Sequence, residues 1–145
     1  MIEVNFIAQD VPMPELDRDR VAEWLERVAR SHGKSAGRLT YIFCDDDYIL
    51  STNHQFLNHD YYTDIITFDY STRRRIAGDM VISLDTVLTN SQTVGETYRR
   101  ELLRVVVHGV LHLCGINDKG PGEREVMERH EDEALSLINI DEMYQ

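Results

Sequence analysis

Two histidines spaced four residues apart are the first feature of this sequence that could do chemistry. His108 and His112 lie in the segment HGVLHLCGINDKG, at the end of a strongly apolar helical pattern. Residues at i and i+4 share one face of a helix, so the two imidazoles can converge on a single metal ion. Zinc favours such nitrogen ligands, but the pair alone is a weak signal in a chain with 6 histidines.

The residues after the pair extend it to a pattern of three ligands. Gly115 can reverse the chain in a left-handed conformation, and Asp118 follows three residues later. HxxxHxxGxxD therefore returns a carboxylate towards the histidines, as the extended metzincin motif returns a third histidine. Three protein ligands leave one position for water, which is typical of a catalytic zinc site, and zinc lowers the pKa of that water towards about 7. We expect the metal at His108, His112 and Asp118.

Gly109 makes a zinc peptidase the weakest interpretation of this segment. In HExxH proteases the residue after the first histidine supplies the general base, and glycine has no side chain. The base would then come from elsewhere, or the metal-bound water would act without one, so the catalytic group stays unknown. A structural interpretation also stands, in which two histidines of a buried helix bond to the backbone. Cys114 lies roughly opposite His112 on the helix and is expected to be a core residue.

Apolar periodicity predicts an α+β fold in a single domain over residues 1–145. We expect a mixed sheet of about four strands, packed with about five helices. We expect STRRRIAG to be a loop, across which the third and fourth strands pair as a hairpin. The predicted strands are IEVNFIA, RLTYIFC, DIITFDYS and GDMVISLD. The predicted helices are PELDRDRVAEWLERVARSHG, DDDYILSTNHQFLNHD, DTVLTNSQ, ETYRRELLRVVVHGVLHLCG and GEREVMERHEDEALSLI.

Composition narrows the class of protein further. A net charge of −11 argues against tight, nonspecific nucleic-acid binding through phosphate contacts alone, although a nuclease depends on the local field. The acidic segment EREVMERHEDE is expected to be solvated surface. No apolar run reaches the roughly 20 residues of a membrane-spanning helix, and MIEVNFIAQD does not resemble a signal peptide. Two cysteines make no disulfide framework, so we expect a cytoplasmic protein without membrane association.

Three ordered blocks of the chain resemble the YbeY-type rRNA-maturation endoribonucleases. Residues 108–118 are similar to the family pattern HGxLHLxGyDH, with Asp118 in place of the last histidine. TDIITF at 63–68 is similar to TDVLSF, with Asn53 upstream, and GDMVIS at 78–83 is similar to GDIxIS. The resemblance covers essentially the whole chain, and three blocks in order are far more specific than a histidine pair.

This resemblance implies one zinc per chain, held by His108, His112 and Asp118. A carboxylate is an acceptable zinc ligand, though its charge would make the bound water somewhat less acidic. The resemblance further implies cleavage of single-stranded RNA during ribosomal RNA processing, especially at the 3′ end of the small-subunit RNA. It also implies a role in ribosome quality control. The implied partners are this RNA and the small ribosomal subunit or its assembly proteins.

One departure from the family concerns RNA binding. Many members have an arginine six residues before the threonine of TDVLSF, where this chain has Leu57. The phosphate contact could instead come from His59, from Arg104 or from the arginines at 73–75. Our substrate-binding candidates are Asn53, Thr63 and Arg104. Plain capping or turn roles are equally open for Asn53, Thr63, Asp64 and Asp79.

A second function class is a non-catalytic ribosome-assembly factor in which zinc only stabilises the last helix and loop. The acidic composition and Leu57 in place of arginine motivate it.

Overall fold

The computed structural model describes residues 2–57 and 63–145, which form a four-stranded sheet with helices on both faces. Its elements are β1 (Glu3–Ala8), α1 (Arg18–Ser31), β2 (Ser35–Cys44), α2 (Asp46–Leu57), β3 (Ile65–Asp69), β4 (Arg75–Ser83), α3 (Leu84–Val94), α4 (Tyr98–Leu113), α5 (Glu123–Leu135) and a short 3-10 helix (Ile140–Met143). The predicted four strands and five helices are confirmed, and the 3-10 helix adds a further element.

The sheet is mixed, as predicted. The strand order is β1-β2-β4-β3, with β1, β2 and β4 parallel and β3 antiparallel to β4. The predicted hairpin of the third and fourth strands is confirmed, with Ile65 opposite Ile82 and Asp69 opposite Gly78. The edge strand β3 therefore begins beside the carboxyl end of β4, and this corner of the sheet leads into the candidate site.

The predicted loop STRRRIAG was wrong at its carboxyl end, where β4 begins at Arg75. Arg75 pairs with Ser35 of β2, and Ile76 pairs with Ala36 and is fully buried. Backbone pairing with the central strand outweighs the polar side chains that made this segment look like a loop.

Alternating residues of the central strands build a core on each face of the sheet. Met80 and Ile82 of β4 face a large core that α1, α4 and part of α5 cover. Val81, between them, faces a smaller core with Ile49 of α2 and Ile66 of β3. This alternation is what the period-2 pattern of a strand predicts.

No helix among the residues described is long and apolar enough to cross a membrane.

Helix α4 is buried over most of its circumference, as its sequence predicts. The Thr97 hydroxyl caps its start by accepting from the backbone N–H of Arg100 at 3.1 Å. The Tyr41 hydroxyl donates to the Val106 carbonyl at 2.8 Å, which ties the middle of the helix to β2. Gly115 follows the helix with φ +99°, so the predicted left-handed reversal is confirmed.

The buried face of α5 differs from the predicted one. From helical spacing, the sequence predicts a buried side made of Val126, Met127, His130, Ala134 and Leu137, and of these the structure buries Met127 and Ala134. Leu137 lies beyond the helix and is 40 % exposed. Glu131 is buried instead, at 5 % exposure. The Trp24 indole N–H of α1 donates to the Ala134 carbonyl at 2.9 Å and anchors α5 in this rotation.

Gly109 is the point of closest approach between α4 and the sheet, and replacing it tests that approach. An added Cβ would lie 2.8 Å from Met80 Cγ and 3.2 Å from Ile65 Cδ1. We expect Gly109→Ala to destabilise the protein by about 1–3 kcal/mol despite the better helix propensity of alanine. Urea unfolding should show a much smaller cost in a Met80→Ala background; equal costs in both backgrounds would refute the proposed clash.

The buried carboxylate of Glu101, in the first turn of α4, gives a prediction about pH. Burial raises the pKa of Glu101, although the charge of Arg104 partly opposes this. A raised folded-state pKa means that the stabilising contribution is present in acid and is lost as the pH rises through that pKa. We therefore expect Glu101→Gln to gain stability relative to wild type between pH 4 and pH 7, measured by urea unfolding at both values. A stability difference that is independent of pH, or falls with rising pH, would show this to be wrong.

Candidate active site

A polar stripe on α4 forms one wall of a cleft of about 810 Å³. Arg104, His108 and His112 are spaced by four residues and line this cleft, while most of the remaining circumference of the helix is buried. The other walls come from residues 63–67 at the start of β3, the end of α3, Asp118 and Lys119 of the following loop, and α5. The structure thus brings the three predicted metal ligands to one cleft.

His108 lies between two carboxylates. Its Nδ1 is 2.6 Å from Glu131 Oε2 of α5, and its Nε2 is 3.3 Å from Asp118 Oδ2. Burial disfavours the charged imidazolium, but the Glu131 hydrogen bond and the charges of Glu131, Asp64 and Asp118 outweigh it and raise the pKa of His108. The reversal at Gly115 therefore returns Asp118 to the histidine face of α4, as the spacing predicts.

The spacing of two of these donor atoms suits a zinc ion. Ligand atoms about 2.0–2.1 Å from a tetrahedral ion lie roughly 3.3–3.4 Å apart. The Nε2 of His108 and Oδ2 of Asp118 are 3.3 Å apart, and His112 lines the same cleft one turn further along α4. Across residues 2–57 and 63–145, no group of three or more His, Cys, Asp or Glu side chains is already arranged to hold a metal. The three-ligand set therefore stays a prediction, with two donors at a suitable distance.

Glu131 is a site residue that the sequence analysis missed. One of its oxygens faces His108, and the other, Oε1, lies 3.0 Å from Arg104 Nη1. The interpretation of EREVMERHEDE as solvated surface was wrong at this residue, whose side chain is 7 % exposed. The available signal was its spacing, because position 131 falls four residues after Met127 and four before Leu135, on the buried face of the helix.

Arg104 lies in the cleft, as expected of a substrate-binding candidate. Its Nη2 is 2.7 Å from Asp132 Oδ1, in addition to the contact with Glu131, and its side chain is 21 % exposed. Two of its five N–H donors are thus committed to carboxylates, which hold the guanidinium against the cleft wall.

Of the candidate residues in and near the two upstream sequence blocks, TDIITF and GDMVIS, the structure brings some into the cleft and leaves others outside its described lining. Thr63 and Asp64 line the cleft, and burial raises the pKa of the Asp64 carboxyl against the opposing charge of His108. The Thr63 hydroxyl donates to the Ile65 carbonyl at 3.4 Å. Asn53 is 1 % exposed within α2, and Asp79 accepts from the Tyr70 hydroxyl at 3.3 Å. Neither Asn53 nor Asp79 is among the cleft-lining residues of the described chain.

The remaining candidates for phosphate contact lie elsewhere. Exposed arginines 73–75 precede or begin β4, outside the described cleft lining, and the Arg73 carbonyl accepts from the Lys34 ammonium at 2.7 Å. His59 lies outside the described residues, as does the side chain of Leu57, whose backbone ends α2. His32 and His130 pack edge to face, with ring centroids 4.9 Å apart, and neither is among the described residues that line the cleft.

Carboxylates outnumber basic groups along the cleft. Such a surface repels RNA phosphates unless a bound cation reverses the local field. Its acidic residues are Asp64, Glu96, Glu101, Asp118, Glu128, Glu131 and Asp132, and its basic residues are Arg104, Lys119 and Arg124.

Position 109 is unsuited to the general base of a zinc peptidase. Gly109 is buried against Met80 and Ile65 of the sheet, and an added Cβ would lie 2.8 Å from Met80 Cγ, so the packing leaves no room for a glutamate there. The structure therefore supports the expectation that this is not a conventional HExxH peptidase.

Comparison with known proteins identifies relatives that match nearly the whole chain. The family described as Endoribonuclease YbeY matches residues 4–139. A protein named Endoribonuclease YbeY from Bacteroides thetaiotaomicron is 54% identical over 134 residues, covering 92% of this chain and 98% of that protein. A protein of the same name from Parabacteroides distasonis is 52% identical over 135 residues, covering 93% and 95%.

A solution structure from Thermotoga maritima shares the fold, with a TM-score of 0.60, 23% identity and coverage of 92% of this chain and 90% of that one. The predicted class, an RNA-cleaving hydrolase of rRNA processing, is confirmed by the family match and the named relatives. This chain belongs to the YbeY family of metal-dependent endoribonucleases.

Proposed function

We propose that this protein is a zinc-dependent endoribonuclease of the cytoplasm that cleaves single-stranded RNA. Its proposed substrate is ribosomal RNA near the 3′ end of the small-subunit RNA, with the small subunit or its assembly proteins as partners and ribosome quality control as the wider role. The observation that carries the metal assignment is the meeting of His108 and Asp118, with donor atoms 3.3 Å apart, in the cleft that His112 also lines.

In this proposal His108, His112 and Asp118 hold the zinc. The Nδ1–H of His108 donates to Glu131, which leaves the Nε2 lone pair directed towards Asp118 and the metal position. When bound, zinc would lower the pKa of a coordinated water and neutralise charge on the scissile phosphate. The helix and the Gly115 reversal contribute ligands from two segments to one open wall of the cleft.

RNA binding is assigned to the basic and hydroxyl groups that line the same cleft. Arg104 presents a partly exposed guanidinium. Lys119 and Arg124, which follow Asp118 in the sequence, line the same cleft. Thr63 adds a hydroxyl at the start of β3. Asn53 is not included in this assignment, because it is buried in α2 outside the described lining.

The products of cleavage distinguish two routes. Attack by water that breaks the bond from phosphorus to the 3′-oxygen leaves a 5′-phosphate on one fragment and a 3′-hydroxyl on the other. Attack by the neighbouring 2′-OH expels the 5′-oxygen and leaves a 2′,3′-cyclic phosphate and a 5′-hydroxyl. We assign the water route, because a zinc held by His108, His112 and Asp118 would keep a coordination position for water. Cyclic-phosphate ends on the fragments, detected by mass spectrometry, would contradict it.

His112→Ala tests whether metal and cleavage depend on the same residue. We expect loss of stoichiometric zinc and a fall of at least about 100-fold in cleavage of a single-stranded RNA, because a two-ligand site binds zinc weakly. Metal content is measured by plasma mass spectrometry and cleavage on end-labelled RNA. His54→Ala, an exposed residue of α2, is the control and should change neither. A wild-type protein that cannot be loaded with zinc would refute the metal assignment.

Asp118 can be tested by exchanging one ligand type for another. We expect Asp118→Ala to weaken zinc binding by about 100-fold or more, while Asp118→His keeps it within about tenfold, since imidazole is also a good zinc ligand. Affinity is measured by competition with a chromogenic chelator. Equal affinities for wild type and Asp118→Ala would remove Asp118 from the ligand set, with circular dichroism confirming that both variants are folded.

A further inference from the structure

Glu131 makes two short contacts in opposite directions. Its Oε2 lies 2.6 Å from His108 Nδ1, and its Oε1 lies 3.0 Å from Arg104 Nη1. Both partners belong to α4, whereas Glu131 belongs to α5. One carboxylate therefore links a proposed metal ligand and a proposed RNA-binding residue across the interface between two helices.

The position of Glu131 in the core is costly for a carboxylate. Its side chain is 7 % exposed, and it shares its helix face with Met127 and Ala134, which are buried apolar residues. A buried carboxylate is stabilised only when its oxygens have charged or hydrogen-bonding partners, and an apolar residue packs there more easily. The two oxygens of Glu131 meet this requirement through His108 and Arg104, so the contacts explain why a charged group is accommodated.

We propose that Glu131 is a positioning residue for both halves of the site. By accepting from Nδ1–H of His108, it selects the tautomer whose Nε2 is free to bind metal and orients the ring towards Asp118. By its second oxygen it holds Arg104 at the cleft wall, where the guanidinium can meet a phosphate. The inference rests on the proposed metal site and adds an outer residue to it.

Asp132 offers a matched comparison on the same helix. Like Glu131, it contacts Arg104, at a distance of 2.7 Å, but it has no contact with His108 among the described residues and its side chain is 61 % exposed. Loss of the Asp132 charge therefore disturbs Arg104 alone, while loss of the Glu131 charge disturbs Arg104 and His108 together.

The test compares Glu131→Gln with Asp132→Asn in the full chain. Zinc affinity is measured by chelator competition, and we expect it to fall about 10- to 100-fold in Glu131→Gln and to stay within about threefold of wild type in Asp132→Asn. Michaelis constants for single-stranded RNA should rise in both variants, because both loosen Arg104. Circular dichroism checks that each variant is folded.

A second measurement needs neither metal nor activity. Nitrogen-15 NMR of the metal-free wild type, at a pH where His108 is neutral, should show its proton on Nδ1, and Glu131→Gln should reduce that preference. The proposal is overturned if the wild type binds zinc and Glu131→Gln binds it equally well. It is also overturned if the proton of neutral His108 lies on Nε2 in the wild type. If the wild type fails to bind zinc, the proposed metal function fails, and the NMR result still decides the positioning role. If Glu131→Gln does not fold, the wild-type tautomer decides.

Discussion

The burial of α4 is the constraint on which the site depends. The helix lies against the sheet so closely at Gly109 that a Cβ would meet Met80, and most of its circumference is covered. A helix in that position keeps most of its polar side chains along the strip that other elements leave uncovered, with the buried Glu101 as an exception. Arg104, His108 and His112 occupy this strip at successive turns. The packing that makes α4 the centre of the core therefore also determines that Arg104, His108 and His112 face the cleft, together with Glu101 and Val105.

The same constraint explains the acidic residues of α5. This helix packs beside α4 and brings carboxylates against the strip of basic and imidazole groups, with Glu131 and Asp132 contacting Arg104. Within that strip the carboxylates serve as hydrogen-bond acceptors and counter-charges. They also leave the cleft with an excess of negative charge, which a divalent ion would reduce before RNA could approach. A chain of net charge −11 could thus act on RNA where a bound cation reverses the local field of the cleft.

Much of this arrangement follows from local sequence patterns. The strands and helices are visible in their periodicity, and the Gly115 reversal is visible in the residue that permits it. The spacing of Glu131 from Met127 and Leu135 is one signal of its burial, but local patterns do not decide between helix rotations when charged residues outnumber apolar ones. For α5 that rotation is decided by tertiary contacts, including the bond from Trp24 to the Ala134 carbonyl. Glu131 was therefore hidden among acidic neighbours, and the strand at Arg75 was hidden by its polar side chains.

As a metal ligand, the aspartate at the end of the motif would change the charge that the site presents to RNA. With His108, His112 and Asp118 as ligands, a divalent zinc would keep one net positive charge, whereas three neutral histidines would leave two. The nearby Glu131 carboxylate would offset part of this remaining positive charge. Less of the attraction for phosphate can then come from the metal, and more must come from protein cations at the cleft. Arg104, already oriented by its carboxylate partners, is suited to that task. On the proposed ligand set, Asp118 as a ligand and leucine at position 57 would both place greater weight on Arg104.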